Sequence, residues 1–128
     1  MRKTRDLEHQ AQVALFQWCG YQSRRYPELA LLFAIPNGGA RSLSQGARLK
    51  AEGVKAGIPD MLLPVARGGF HGFFIELKAP DGTVQDNQKK WAADLAAQGY
   101  KAEVIYGWQN ARDALIEYLS LPLVSRDH

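Results

Sequence analysis

Three side chains near the middle of this sequence are spaced to perform metal-assisted chemistry: Asp60 in Gly57-Ile58-Pro59-Asp60, and Glu76 and Lys78 in Glu76-Leu77-Lys78. Asp60 opens a short apolar run to Val65, Arg67-Gly68-Gly69 interrupts it, and Phe70 to Lys78 resumes it. Two such runs around a Gly-rich turn predict a β-hairpin. Facing residues of a hairpin are equidistant from its turn. A turn centred on Gly68 therefore puts Asp60 opposite Glu76, with Cβ atoms roughly 5 Å apart. Lys78, two residues on, points to the same face. Facing carboxylates repel unless a proton or a cation lies between them. Hard oxygen ligands suit Mg²⁺ or Mn²⁺, and a neighbouring ammonium can orient or deprotonate a water and stabilise charge developing on a phosphate. The chemistry indicated is phosphodiester hydrolysis. A lone Glu-x-Lys reads far more often as a surface hairpin with a cross-strand ion pair; Pro-Asp at the matching offset favours the metal site.

Other chemistries find little support. Cys19 is the only cysteine, so an internal disulfide and a Cys-rich zinc site are excluded. Its helical neighbours Phe16, Gln17 and Trp18 mark it as a small core residue. His9, His71 and His128 show no ligand spacing, and His71 has the opposite strand parity to Glu76. No apolar run approaches the ~20 residues that cross a bilayer, and the basic N-terminus has no signal core behind it. The expectation is a cytoplasmic protein with no membrane partner. Residues 1–58 carry nine Lys or Arg against four Asp or Glu, whereas residues 59–128 carry seven against nine. A basic front half beside a carboxylate cluster suits a polyanion brought to a metal.

The elements that must position these groups follow from periodicity and turn signals. Thr4 is placed to cap a helix with Leu7, Ala11, Ala14, Leu15, Trp18 and Tyr21 as its apolar stripe. Residues 28–35 read as a helical turn leading into a buried strand, stopped by Pro36-Asn37-Gly38-Gly39. Residues 42–52 read as a helix with Leu43, Ala47 and Leu49–Ala51 on its buried side. After the hairpin, Pro80-Asp81-Gly82 is a turn, with Asp81 a turn former rather than a catalytic acid. A helix starting at Thr83 or Asp86 carries Trp91, Leu95 and Ala96 on one side and ends at Gly99. Residues 101–106 alternate as a strand does, and Asn110 opens a last helix that Pro122 stops. The order α-β-α-β-β-α-β-α predicts an α/β fold, a small mixed sheet flanked by helices, with a right-handed parallel crossover from the Glu76 strand to strand 101–106. The chain is expected to form one domain over 1–128, ordered from about residue 4 to 120, with 121–128 a flexible tail.

Four segments together resemble a known family: Ile35-Pro36-Asn37-Gly38-Gly39, Gly53 to Asp60, Glu76-Leu77-Lys78, and Gln88-Lys89-Lys90-Trp91. The pattern is similar to the PD-(D/E)XK nucleases with their restriction-endonuclease-like core, and within them to the stand-alone VRR-NUC domains of phages and bacteria. The resemblance spans residues 4 to about 118. It implies that Asp60, Glu76 and the Leu77 backbone carbonyl ligate Mg²⁺ or Mn²⁺, with Glu8 completing the shell directly or through water. It implies that Lys78 positions or activates the attacking water and that Gln88 hydrogen-bonds near the metal. It also implies DNA as substrate, including branched or four-way-junction DNA, and a homodimer.

Each assignment has a plainer counterpart. Glu8 reads also as a first-turn acid favoured by the helix dipole, Gln88 as a solvated helix residue, and Asn37 as a turn former. Arg41, Arg48, Lys50, Lys55 and Lys89 are candidates for DNA phosphate contact or for a solvated basic face. Trp91 and Trp108 read as core residues. Two other functions compete with a DNA endonuclease: a catalytically silent nucleic-acid-binding or assembly module of the same fold, and a nuclease acting on RNA or a nucleotide.

Overall fold

The computed structural model describes residues 2–36 and 42–123. Its elements run α1 (Arg2–Tyr21), a 3₁₀ turn (Pro27–Leu31), β1 (Phe33–Ala34), α2 (Leu43–Ala51), β2 (Met61–Leu63), β3 (Phe73–Lys78), α3 (Asp86–Ala97), β4 (Lys101–Tyr106) and α4 (Trp108–Leu119). The four strands lie in sequence order, β2 antiparallel to β1 and β3, and β4 parallel to β3. This is the expected mixed sheet flanked by helices.

Strand β3 is buried at all six positions, and residue parity divides its faces. Phe73, Ile75 and Leu77 join Met61 and Leu63 of β2 in the main core, closed by Leu15 and Cys19 of α1 and by Ala111, Leu115 and Tyr118 of α4. The alternate residues Phe74, Glu76 and Lys78 point to the other face, where Phe74 meets Tyr100 edge-on at 5.1 Å between ring centroids. Apolar burial on one face thus fixes the strand, and with it the side chains of the opposite face. Burial of the Cys19 thiol pushes its pKa up to about 11, as an inert core thiol requires.

The hairpin keeps the expected register by an unexpected route. Met61 pairs with Ile75 and Leu63 with Phe73, so continuing the ladder places Asp60 opposite Glu76. The turn, however, is centred between Gly68 and Gly69, both at positive φ (59° and 87°), inside an Arg67–Phe70 bridge. A plain hairpin about that centre would set Asp60 against Leu77. Three residues, Pro64–Ala66, oppose two, His71 and Gly72, and this extra residue restores the Asp60–Glu76 register. The Tyr118 hydroxyl holds the extra segment by donating to the Val65 carbonyl at 2.6 Å.

Several local expectations need correction. Thr4 lies inside α1 rather than capping it. Tyr21 is exposed, and α1 buries Leu15 and Cys19 instead. The strand before Pro36 is a two-residue exposed edge, since among the described residues β1 pairs with β2 alone. Helix α2 buries no residue, and Leu43 is 94% exposed; its ends are fixed locally by a Ser42–Gln45 capping box and a Schellman closure through Gly53 and Val54. Ala96 is exposed on α3, and α4 starts at Trp108, with the Asn110 amide donating back to the Tyr106 carbonyl.

Candidate active site

Glu76 and Lys78 are the two buried charged side chains among the described residues. Lys78 Nζ stands 3.6 Å from Glu76 Oε2. Asp60 is held at both ends. Its carbonyl accepts the Ile35 N–H at 2.7 Å, and its carboxylate Oδ2 accepts the Leu77 N–H at 2.7 Å. Strand pairing therefore delivers two carboxylates and an ammonium to one end of the sheet, as their spacing predicts.

Helix α3 supplies the next contacts. Gln85 is its N-cap and Gln88 its third residue, and the Gln88 Oε1 accepts the Gln85 N–H at 2.9 Å. With its oxygen so engaged, the amide must present its NH₂ to the sheet, and Nε2 donates to Glu76 Oε2 at 3.1 Å. One turn on, the Trp91 indole N–H donates to the Ala56 carbonyl at 3.2 Å. Asn87 packs so closely on Gly57 that a Cβ there would lie 2.7 Å from its Cγ, and Gly57 has φ +87°. The loop delivering Pro59-Asp60 is thus pinned to the helix that contacts Glu76. Trp91 is half-buried and acts as a clamp on that loop, a role its sequence position did not disclose.

Glu8 arrives from α1, where its Oε2 accepts the Ala79 N–H at 3.2 Å. It shares with Asp60 and Leu77 the lining of a groove of about 790 Å³ that runs along α1 past Gln12 and Phe16. Among the described residues, no three His, Cys, Asp or Glu side chains form a ready-made cage. The structure pairs Asp60 with Glu76 and ties Glu8 to the adjacent turn.

Burial and mutual repulsion both disfavour ionisation of the pair. Burial first, and then the Asp60 charge, push the Glu76 carboxyl up to about 8, with Lys78 offsetting only part. Burial likewise raises Asp60, against the Leu77 N–H and the Lys78 charge that favour its ionised form. Glu76 Oε1 is buried and has no hydrogen-bond partner, the one such side-chain atom among the described residues. A buried carboxylate oxygen without a donor is costly unless a proton or a metal binds it. The residues present fit a hard divalent cation on that ground.

The candidates for DNA contact divide. Asn37 and Arg41 lie outside the described residues. Arg48 is engaged with Glu52 at 3.3 Å on the exposed side of α2. Lys50 and Lys55 line a groove of about 570 Å³ with Leu49, Val54 and Trp91, and Lys89 is exposed on α3. Among these four described residues, none bonds to Asp60 or Glu76.

Comparison with known proteins identifies the family. The VRR-NUC domain family model matches residues 5–109. A solved structure described as a VRR_NUC domain protein is 29% identical, with a TM-score of 0.76, and the match covers 91% of this chain and 90% of that one. No curated protein matches the chain.

Proposed function

This chain belongs to the VRR-NUC family, and from that premise we propose that it is a Mg²⁺- or Mn²⁺-dependent endonuclease hydrolysing DNA phosphodiester bonds, selective for branched DNA and acting as a homodimer. The observation that carries this reading is the facing pair Asp60–Glu76, with a buried, unpartnered Glu76 oxygen and Lys78 beside it. Asp60, Glu76, Glu8 and the Leu77 carbonyl hold the cation. When bound, it supplies Lewis-acid stabilisation of phosphate charge and acidifies the attacking water.

The chain's own residues do the rest. Lys78 orients the water and stabilises negative charge on the reacting phosphate, because its ammonium is held in a buried site where water screens it little. Gln88 fixes Glu76 Oε2 and so aims Oε1. The Leu77 N–H fixes Asp60 in the same way. Lys50, Lys55 and Lys89 supply phosphate contacts outside the chemistry, with Asn37, Arg41 and Arg48 completing the DNA-binding set. Exposed Leu31, Phe33 and Leu43 offer apolar surface that a second copy would cover.

The test is cleavage of labelled nucleic acid by the full chain: a DNA four-way junction, a DNA flap, plain DNA duplex, and single strands of DNA and of RNA, each with EDTA, Mg²⁺ or Mn²⁺. Metal-dependent cutting that Glu76→Gln abolishes is expected, strongest on branched substrates. Salt-sensitive binding without cutting would replace the reading with a binding module. Cleavage confined to RNA would move the substrate, and a monodisperse monomer by light scattering would remove the dimer.

A further inference from the structure

Strand pairing holds Asp60, Glu76 and Lys78, but Glu8 belongs to a helix outside the sheet and needs a separate device to reach them. Four observations converge on the turn Ala79–Gly82. The Gly82 N–H donates to the Ala79 carbonyl at 2.9 Å and closes it. The Ala79 N–H donates to Glu8 Oε2 at 3.2 Å. Thr4 Oγ1 donates to Asp81 Oδ2 at 2.9 Å. A Cβ built on Gly82 would lie 2.8 Å from Glu8 Oε2, 3.1 Å from the Ala79 carbonyl oxygen and 3.3 Å from Lys78 Cδ. Thr4 and Glu8 are four residues apart and so share one ridge of α1. The turn therefore grips that ridge at two points and leaves at Gly82 no room for a side chain between Glu8 and the Lys78 stem.

We propose that the Ala79–Gly82 turn is a latch that sets Glu8 beside the Asp60–Glu76 pair, with Thr4, Asp81 and Gly82 as its positioning residues. The proposal rests on the reading of Glu8 as part of the metal shell. An unheld glutamate in the first turns of a helix samples many rotamers, and ordering it costs free energy that the latch has already spent. The Ala79 N–H holds one oxygen and leaves the other to bind. The lack of a side chain at Gly82 is what lets the carboxylate approach. The nearest obstructed atom is the end of a flexible side chain, so a methyl group there displaces Glu8 first, while the Ala79 carbonyl oxygen, 3.1 Å away, has to give only slightly.

The test is Mn²⁺ titration of the full chain, followed by electron paramagnetic resonance, alongside metal-free melting curves. Gly82→Ala and Thr4→Val should each weaken Mn²⁺ binding roughly 10-fold, and Thr4→Ser should restore it, with the metal-free melting temperature unchanged. In a Glu8→Gln background, Gly82→Ala should weaken binding no further, since one ligand cannot be lost twice. Unchanged affinity in Gly82→Ala, with Glu8→Gln clearly weakened, would overturn the latch alone. Unchanged affinity in Glu8→Gln would overturn both the shell assignment and the latch. An additional loss in the double variant would show that Gly82 acts elsewhere.

Discussion

Gln88 and Glu76 are joined by a hydrogen bond whose direction is dictated from outside the site. The Gln85 N–H takes the Gln88 oxygen, so the NH₂ is what remains for Glu76 Oε2, 3.1 Å away. A residue that reads as a solvated helix position is thereby a fixed donor to a buried carboxylate. Gln88→Ala should lower single-turnover cleavage about 10- to 100-fold, the usual cost of removing a group that orients a metal ligand. Gln88→Glu should do at least as much harm, because it sets a third carboxylate against Glu76. Wild-type rates in Gln88→Ala would reduce it to a helix cap.

Asp60→Asn, Glu76→Gln and Lys78→Ala should each lower cleavage by about two orders of magnitude or more. For the two carboxylate variants the metal-free fold should be as stable as wild type or more so, because each removes like-charge repulsion in a buried site. Melting curves in EDTA check this. A lower melting temperature for Asp60→Asn would show that its bond to the Leu77 N–H outweighs the repulsion.

Stability of the metal-free protein should fall as pH rises. The Glu76 carboxyl is raised from 4.5 to about 8 on folding, chiefly by burial. Its contribution is therefore complete below the unfolded value and is lost as pH climbs through the folded one. Asp60 is shifted the same way. Thermal melts between pH 5 and pH 9 in EDTA should slope downward, Glu76→Gln should flatten the slope, and saturating Mg²⁺ should oppose it by replacing the proton. A slope unchanged in Glu76→Gln would place the titration elsewhere.

Trp91→Phe keeps an aromatic ring on α3 but deletes the N–H that holds the Ala56 carbonyl. The expected stability loss is about 0.5–1.5 kcal/mol, the net worth of one hydrogen bond. Amide exchange should quicken in residues 54–57 ahead of Asp60, and cleavage should fall more than the stability loss accounts for. Exchange unchanged in that loop would mean that Asn87 against Gly57 holds it unaided.

Leu15 is fully buried between α1, β3 and α4. Leu15→Ala should cost about 2–5 kcal/mol through lost burial and the cavity left behind, read by urea unfolding. Tyr21, exposed at the end of the same helix, should tolerate alanine with a change within about 0.5 kcal/mol.

The strand pair and the placement of its charged side chains were legible in the sequence because β-structure alternates with a period of two and a hairpin fixes its own register. Asp60, Glu76 and Lys78 could therefore be placed relative to one another from residue numbers. The order of elements and the parallel crossover followed from periodicity and turn residues in the same way. The register was nonetheless reached through a compensation that counting did not reveal: the Gly68–Gly69 turn and the extra residue in Pro64–Ala66 shift it in opposite directions. The false expectations, a buried β1 and a buried face on α2, arose because apolar spacing states what an element could cover, not whether anything lies against it. Only the tertiary structure decided the contacts between distant elements. Glu8 with Ala79, Thr4 with Asp81, Gln88 with Glu76 and Trp91 with Ala56 each join a helix to a strand, loop or turn. Such contacts depend on how helices dock on the sheet, which the burial of Phe73, Ile75 and Leu77 against α1 and α4 sets for the whole molecule at once.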